Sequence, residues 1–346
     1  MLITEAFLLQ NPTPAPEAPE LLLQVLTDQE DAVGLAEIAG PLPLAEVETA
    51  LDELWPLVQG QEPLDRGAVW ERLALHADWL AEMPPAAAAV VSALDLALWQ
   101  LAAQQARLPL YALLGGRYFL RVDSYEFASP PDDCFPLGGV LLAAGADPAD
   151  TVAEAESLRR RWGDTARVLV DLEGRFTTPD QAHELTQRLQ AAEVFCCLDP
   201  FPLDARKAYQ TLARELELPL GAGSPLRGLG ALPRLLADHS LDLVAVDVRW
   251  CGGLTGAIRL QALAEASHLP VLLRAGRWPW TQLQALHLAG TSGSYLPAAR
   301  PRGEGVLAEP LTVEEGFVVL PTEVGLGREL ADEALEPYEY VGLEES

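Results

Sequence analysis

Carboxylates stand at the ends of three apolar runs of this sequence, where they could bind a cation or accept a proton. Asp171 and Glu173 end the run ARVLVDLEG, Asp199 ends the run VFCCLDPF, and Asp247 lies near the end of LDLVAVDVRW. A fourth run, LPVLLRAG, carries the guanidinium of Arg274 near its end instead. Carboxylate oxygens are preferred ligands of Mg²⁺, and a carboxylate can also act as a general base. These residue types therefore predict a cation site or a proton-transfer site.

A reading without a metal stays open beside these two. Arginines lie close enough in the pattern to neutralise the acids as ordinary solvated ion pairs: Arg175, Arg249 and Arg274. Arg274 and Arg277 have two interpretations of their own. They either hold the carboxylate or phosphate of a ligand, or they form a salt bridge to Asp247 or to the tail of the chain.

Short apolar runs alternate with helical stretches from residue 120 onward, and this rhythm predicts the element that positions the acids. Helices are predicted over six stretches: 148–162, 179–192, 204–216, 229–238, 254–267 and 279–291. Strands alternating with helices indicate a parallel sheet, and seven or eight such units predict a closed barrel. The expected fold class is α/β, with a modified (β/α)8 TIM-type barrel. Side chains at the carboxyl ends of its strands would share one mouth.

The segments on either side of the barrel predict a second domain. Strand-like and then helical segments precede a strongly apolar helix over residues 86–105, which must be buried on most sides. We predict an α+β capping domain over residues 1–115 and a barrel domain over 116–305. The tail, 306–346, contains short strand-like runs and is expected to pack back on the capping domain.

Four segments resemble the enolase superfamily, in its mandelate racemase and muconate lactonizing enzyme branch. They are SALDLALWQLAAQQARLPLYALLGG, VLVDLEG, DVRWCGGLTGA and AEPLTVEEGFVVLPTEVGLG, the last being nearest to o-succinylbenzoate synthases and N-acylamino acid racemases. The resemblance implies a site at the barrel mouth, where three carboxylates hold Mg²⁺ and a base removes a proton beside a substrate carboxylate. It also implies that capping-domain loops around residues 10–32 set the substrate specificity.

Most of the family's functional positions are occupied by other residue types here. The three positions that correspond to the metal ligands are Asp171, Leu198 and Ser224. Asp199 lies one residue after the second position, where the strand period turns it to the other face unless a bulge restores it. One aspartate would hold Mg²⁺ only weakly or not at all.

The positions of the proton-transfer residues have also changed. The paired lysines of the second strand correspond to Leu141 and Ala143. Asp247 corresponds to the sixth-strand base, and Arg274 to the seventh-strand histidine of the racemases. Arginine stays protonated at neutral pH. An Asp247–Arg274 ion pair is therefore expected to bind an anion rather than move a proton.

Three hypotheses of function follow. In the leading one, the protein has lost the metal-assisted abstraction of a proton alpha to a carboxylate. In the second, it is an active lyase or isomerase like the o-succinylbenzoate synthases, racemases or dehydratases. That enzyme would hold its metal on Asp171, Glu173 and Asp199 and use Asp247 as base. In the third, it is an interaction protein that uses its capping domain or acidic surface.

Composition sets the remaining expectations. The net charge of −28 argues against nucleic acid and anionic membranes as partners. A small carboxylate ligand is expected, and a homo-oligomer by analogy with the family. No uninterrupted apolar run reaches about 18 residues and no basic segment begins the chain, so a cytoplasmic protein is expected. The four cysteines lack CxxC spacing: Cys134, Cys196, Cys197 and Cys251. Cys196, Cys197 and Cys251 are expected to be buried free thiols.

Overall fold

The computed structural model describes residues 1–14, 18–127, 138–163, 167–296, 298–299, 305–315 and 317–341. The N-terminal part contains three strands and four helices: β1 (Ile3–Gln10), β2 (Leu21–Thr27), β3 (Val33–Ile38), α1 (Leu44–Leu54), α2 (Arg66–His76), α3 (Pro85–Ala106) and α4 (Leu110–Leu113).

The barrel part follows: β4 (Arg121–Val122), β5 (Ser124–Phe127), β6 (Gly139–Ala143), α5 (Pro148–Trp162), β7 (Arg167–Asp171), α6 (Pro179–Ala191), β8 (Cys196–Leu198), α7 (Arg206–Glu215), β9 (Leu220–Ala222), α8 (Leu232–Ala237), β10 (Leu243–Asp247), α9 (Gly253–Ala266), β11 (Val271–Arg274), α10 (Pro279–Ala289), β12 (Tyr295–Leu296) and β13 (Ala298–Ala299). The tail contributes β14 (Val313–Glu314), β15 (Phe317–Val319) and β16 (Glu339–Tyr340).

The parallel strands from β5 to β13 close on themselves as a barrel. Each strand from β5 to β12 pairs in parallel with the next along the chain. Tyr295 of β12 pairs with Val271 of β11, and Ala298 of β13 pairs with Ser124 of β5. The segment 295–299 therefore acts as the eighth strand and joins the last barrel strand to the first. This closure confirms the predicted α/β barrel fold.

Local signals explain why the crossover helices begin where the sequence predicted. Asp147 precedes α5, and its side chain accepts a hydrogen bond from the N–H of Ala149 at 2.8 Å. Thr178 and Gln181 form a capping box at the start of α6. Proline occupies the first position of both helices, where its missing N–H costs nothing and its fixed φ suits the helix.

Helix α3 runs through the interior between the cap and the barrel. It packs against β3, α1 and α9, and nearly all of its residues after the first turn are buried. By length and average hydropathy it is apolar enough to cross a membrane, although it has no uninterrupted apolar run of that length. In this fold 94% of its most apolar window is buried inside the protein. The prediction of a helix buried on most sides is confirmed.

The turn that follows β10 docks the cap against the barrel. The indole N–H of Trp70 in α2 donates to the carbonyl of Gly252 at 2.7 Å. Asp95 in α3 accepts both the N–H and the hydroxyl of Thr255, at 2.9 and 2.6 Å. The Trp99 indole donates to the same hydroxyl at 2.9 Å. The Gly-Gly-x-Thr segment, one carrier of the family resemblance, thus has a structural role at the cap–barrel interface.

The tail adds a strand to the cap sheet and also pairs with β4, just before the first barrel strand. In β16, Tyr340 pairs with Leu9 of β1, so the cap sheet has the order β16-β1-β2-β3. Strands β14 and β15 form a separate small sheet with β4. The segment around residues 10–32, where specificity loops were predicted, contains strand β2 at Leu21–Thr27, and its other described residues between β1 and β3 lie outside strands and helices. The predicted domain boundaries at 115 and 305 stay predictions.

Candidate ligand site at the barrel mouth

The carboxyl ends of the barrel strands bring the predicted site residues to one mouth. Asp171 ends β7, Asp247 ends β10 and Arg274 ends β11. The barrel interior beneath them is apolar or bears a weakly polar thiol or phenol, and its cluster comprises Tyr125, Leu141, Leu169, Cys196, Leu198, Leu243, Ala245 and Leu272. Two strand ends in this mouth therefore carry an aspartate and one carries an arginine, above a largely apolar barrel interior.

Arg274 binds to two of the positions that the resemblance assigns to metal ligands. Its Nη1 atom donates to a carboxylate oxygen of Asp171 and to the hydroxyl of Ser224, the latter at 2.7 Å. The ion pair is well enclosed, since the exposed fractions of the two side chains are 17% for Arg274 and 5% for Asp171. Burial opposes the charge, but Asp171 and the other acidic groups nearby together outweigh it and raise the pKa of Arg274. A permanent positive charge therefore lies between Asp171 and Ser224.

The predicted ion pair between Asp247 and Arg274 is wrong. The two residues are neighbours in the parallel register, but Asp247 binds Arg249 instead. Nε of Arg249 lies 2.9 Å from Oδ1 of Asp247, and Nη2 lies 2.7 Å from Oδ2. Arg249 stands two residues after Asp247 in the tight turn that ends the strand, so its side chain can fold back. Arg274 reaches across the mouth to Asp171.

The loop after β11 is shaped to admit the Arg249 guanidinium. Gly276 has a φ of +61°, and a Cβ atom there would overlap that guanidinium. Glycine is the residue that adopts this conformation without strain. The absence of a side chain at this position is therefore a requirement of the Asp247–Arg249 pair.

Asp247 is a weak candidate for the base. Its burial favours the protonated form, but the Arg249 guanidinium outweighs this and lowers the pKa of Asp247. Both carboxylate oxygens already accept hydrogen bonds from Arg249. A carboxylate with a lowered pKa accepts a proton less readily, since effective general bases have pKa values near the working pH.

Asp199 and Glu173 do not extend toward a shared cation site. The φ of Asp199 is +43°, and its carboxylate accepts the backbone N–H groups of Gly223 at 2.8 Å and Ser224 at 3.2 Å. Burial, together with nearby Asp171, raises its pKa to about 6. The Glu173 side chain is 60% exposed and lies 3.8 Å from Arg175. Among the residues that the structure describes, no group of three or more His, Cys, Asp or Glu side chains is arranged to hold a metal ion.

The residues at the family's metal positions do not fit Mg²⁺, although the superfamily typically binds it. Leu198 lies level with Asp171 in the sheet and belongs to the apolar cluster of the barrel interior. Ser224 is bonded to Arg274, and the remaining carboxylate oxygen of Asp171 accepts the N–H of Glu173 at 2.9 Å. Mg²⁺ requires near-octahedral oxygen ligands and is usually bound by one or two carboxylates. An arginine bonded to the single carboxylate is incompatible with that ligand set.

Glu37 in the cap strand β3 is a site residue that the sequence analysis missed. Its side chain is 4% exposed, and Oε1 lies 3.4 Å from Nε of Arg249 without a hydrogen-bond partner among the described residues. Burial raises the pKa of Glu37 to about 8, although Arg249 opposes the shift. One signal was available: Glu37 is the only charged residue in the apolar run AVGLAEIAG, and a buried strand seldom carries an acid without a partner.

A cavity of about 510 Å³ lies between the cap and this mouth. It is lined from the cap by the loop around residue 19 and by the segment 37–42, and from the barrel by the mouth residues and the buried Trp278. Arg277 reaches its wall from the loop after β11, with its guanidinium 4.5 Å from the centre of the Phe127 ring. In the described part of the chain Arg277 has no carboxylate partner. The volume lies within the range of about 300–1,000 Å³ usual for small-molecule sites.

The fold and this mouth define the class of protein. The family model for the enolase C-terminal domain-like proteins matches residues 136–334, so the chain belongs to that family and to the enolase superfamily. Within it the chain falls in the mandelate racemase and muconate lactonizing enzyme branch. A solved mandelate racemase/muconate lactonizing enzyme from Jannaschia sp. CCS1 superposes with a TM-score of 0.85 at 19% identity, covering 99% of each chain.

Other relatives have more specific descriptions. The chain is 22% identical over 271 residues to an arabinonate dehydratase from Saccharolobus solfataricus, covering 73% of this chain and 72% of the relative. It is 24% identical over 288 residues to a D-galactonate dehydratase from Pectobacterium atrosepticum, covering 78% and 74%. The 3,6-anhydro-D-galactonate cycloisomerase from Zobellia galactanivorans has a TM-score of 0.83 at 18% identity, covering 98% of this chain and all of its own. At these identities, the structural likeness concerns the fold.

Proposed function

We propose that this protein does not carry out the metal-assisted proton abstraction of its superfamily, and that it binds a small monocarboxylate in the cavity between cap and barrel. The observation that carries the proposal is the pairing of the arginines at this mouth. Arg274 is matched by Asp171 and Arg249 by Asp247, whereas Arg277 has no carboxylate partner among the described residues. One anionic group on a ligand would complete the pairing, because guanidinium groups bind carboxylates through two parallel hydrogen bonds.

The cavity wall also contains Glu20 and Glu173, which are exposed to solvent, and the buried Glu37. The pKa of Glu37, raised by burial to about 8, keeps its carboxyl group mostly protonated at pH 7. A protonated carboxyl offers both a donor and an acceptor to a ligand. It would suit a hydroxyl group better than a second negative charge. The cavity is therefore suited to a hydroxylated monoanion rather than to a dianion.

The residues at the base positions support the loss of proton abstraction. Leu141 belongs to the apolar cluster of the barrel interior, and Ala143 carries only a methyl group. Neither residue can accept a proton. Asp247 retains a carboxylate, but its two bonds to Arg249 lower its pKa. The chain thus has no proton acceptor at these two positions of β6, and the acid at the end of β10 is bound to an arginine.

The sugar acids named for the relatives are the first probes for binding. D-galactonate and arabinonate are hydroxylated monocarboxylates, which is the class that Arg277 and a protonated Glu37 favour. Titration calorimetry of metal-stripped protein in EDTA buffer is expected to detect binding of at least one of them. Arg277→Ala should weaken that affinity about tenfold or more, which corresponds to about 1.4 kcal/mol. Arg259→Ala, which breaks an exposed pair with Glu71, is the matched control and should leave the affinity unchanged.

An assay for dehydration of the same acids tests the other half of the proposal. With Mg²⁺ or Mn²⁺ present, no product is expected. Metal-dependent turnover that Asp171→Ala abolishes would instead establish an active dehydratase-like enzyme with an altered metal site. The carboxylate site would be rejected if neither acid binds, or if Arg277→Ala leaves the affinity unchanged.

A further inference from the structure

The Arg274 guanidinium lies between groups at the first and third metal-ligand positions of the superfamily. It donates to Asp171 from the end of β7 and to Ser224 from the loop after β9. Asp171 comes from the strand opposite β11 in the barrel, whereas Ser224 follows a strand only two places from β11, so Arg274 spans the mouth to join them. A single Nη1 atom makes both contacts. This bridging of oxygen groups from separate strands is the role that a bound cation has in such a mouth.

The remaining contacts of Asp171 leave little room for a mobile ion. Its Oδ1 atom accepts the N–H of Glu173 at 2.9 Å, and Oδ2 accepts from Arg274. Asp199, the nearest further carboxylate, is turned to the backbone N–H groups of Gly223 and Ser224. A divalent cation at Asp171 would lie against the fixed positive charge of Arg274. At a few ångströms in a partly buried site, that repulsion would strongly disfavour binding of the cation.

The guanidinium also retains donors on its cavity side. Nε and Nη2 of Arg274 have no hydrogen-bond partner among the described residues, and Arg274 lines the cavity. A guanidinium has five N–H donors in a planar fork, so two bonds from Nη1 leave the others for a ligand. A bound cation would offer open coordination positions toward the same cavity.

We propose that Arg274 is a covalently attached replacement for the divalent cation of the superfamily. It neutralises Asp171, holds Ser224, excludes Mg²⁺ and Mn²⁺ from the mouth, and presents its free N–H groups to an anion in the cavity. This inference goes beyond the proposed ligand binding and does not require it, because it concerns the charge that the mouth contains with or without a ligand.

The first test compares variants of Arg274 by urea denaturation. Arg274→Met keeps the length and removes the charge, so Asp171 is left buried and unpaired and the free energy of unfolding should fall steeply. Arg274→Lys keeps the charge and should retain a substantial part of the stability. Arg160→Met is the control for loss of an exposed arginine and should have little effect. Equal effects of the Met and Lys changes at position 274, both as small as the control, would overturn the proposal.

The second test measures binding of Mn²⁺ by calorimetry and by its effect on the melting temperature. The wild-type protein is expected to show no saturable binding at micromolar to low millimolar Mn²⁺. Arg274→Ala is expected to gain stability from Mn²⁺, and Arg274→Ala combined with Asp171→Ala should lose that gain. Binding of Mn²⁺ by the wild-type protein that disappears in Asp171→Ala would overturn the proposal, and it needs no Arg274 variant to fold. Failure of the sugar acids to bind would reject the proposed function and leave both results here unaffected.

Discussion

At the scale of single residues, Glu37 is the group whose ionisation the fold constrains most directly. Its carboxyl is enclosed between β3 and the barrel, and it faces Arg249 and Asp247 from the β10 end, Thr281 from α10 and Tyr338 from the tail. Arg249 is already bound to Asp247 by two hydrogen bonds, so it compensates Glu37 only partly. Burial therefore dominates and raises the pKa from the usual value of 4.5 to about 8.

This shift predicts a pH dependence of stability with a definite sign. Between pH 4.5 and about 8 the folded protein keeps a proton on Glu37 that the unfolded chain releases. The contribution of Glu37 to stability should therefore fall as pH rises through that window, by at most about 1.4 kcal/mol for each pH unit. Urea denaturation of Glu37→Gln at several pH values should give a shallower decline than the wild type. The exposed Glu173→Gln is the control; a slope unchanged in Glu37→Gln would contradict the expectation.

The residue scale is also where sequence reasoning reached its limit. The strand ends predicted that Asp171, Asp247 and Arg274 meet at one mouth, and they do. The pairing did not follow, because an arginine side chain reaches several neighbours and its choice depends on the turn geometry around it. Arg249 folds back onto Asp247 only because Gly276 leaves space for it, and that contact comes from a different loop.

At the scale of elements, the turn after β10 and the first turn of α9 join the barrel to the cap through hydrogen bonds. The Thr255 hydroxyl, in the first turn of α9, donates to Asp95 and accepts the indole N–H of Trp99. Burial raises the pKa of Asp95 to about 7, although the bonds from Thr255 oppose the shift. Because the Thr255 hydroxyl bonds to both other groups, its removal would deprive the Trp99 N–H and Oδ1 of Asp95 of that partner.

Replacement of Thr255 by valine tests these hydrogen bonds at nearly constant side-chain shape. The change removes the hydroxyl and leaves the Trp99 N–H and one oxygen of Asp95 without that partner, so the free energy of unfolding is expected to fall by about 1–3 kcal/mol. Thr211→Val is the matched control, because its hydroxyl donates only to the Lys207 carbonyl on an exposed helix. The free energy of unfolding from urea denaturation measures both. Equal losses of unfolding free energy in the two variants would show that the Thr255 hydrogen bonds do not stabilise the protein.

The elements were the most predictable level of this structure. The predicted helix over 148–162 has the bounds of α5, and the predicted helix over 279–291 begins with α10 at Pro279. Proline at the first position and capping residues before it mark such starts within the sequence itself. The contacts of the tail were harder to foresee, since the pairing of β16 with β1 and of β15 with β4 joins segments far apart in the chain.

At the scale of the whole molecule, a net charge of −28 surrounds a mouth that contains three arginines. The surface charges repel one another and favour expansion of the chain. The mouth is locally different, because Arg249, Arg274 and Arg277 all line it and Arg277 has no carboxylate partner among the described residues. An anionic ligand would therefore meet a repulsive surface before it reaches an attractive cavity.

Salt should stabilise such a molecule. Raising NaCl from about 20 mM to about 300 mM shortens the screening length to below about 10 Å and weakens the surface repulsion, so the melting temperature should rise. Choline chloride at the same ionic strength should give the same rise, because screening does not depend on the identity of the cation. A constant or falling melting temperature would show that surface repulsion does not limit the stability.

The place of β16 in the cap sheet also fixes an order of assembly during synthesis. Strand β1 leaves the ribosome before the barrel strands, yet its outer neighbour Glu339–Tyr340 follows only after every barrel strand has been made. Until then the outer edge of β1 has unpaired N–H and C=O groups, a feature that favours association with other chains. The nascent chain therefore exposes this strand edge to association with other chains until the barrel has been translated. A slowed ribosome would lengthen that period, and chaperone demand would follow the rate of elongation rather than the final stability.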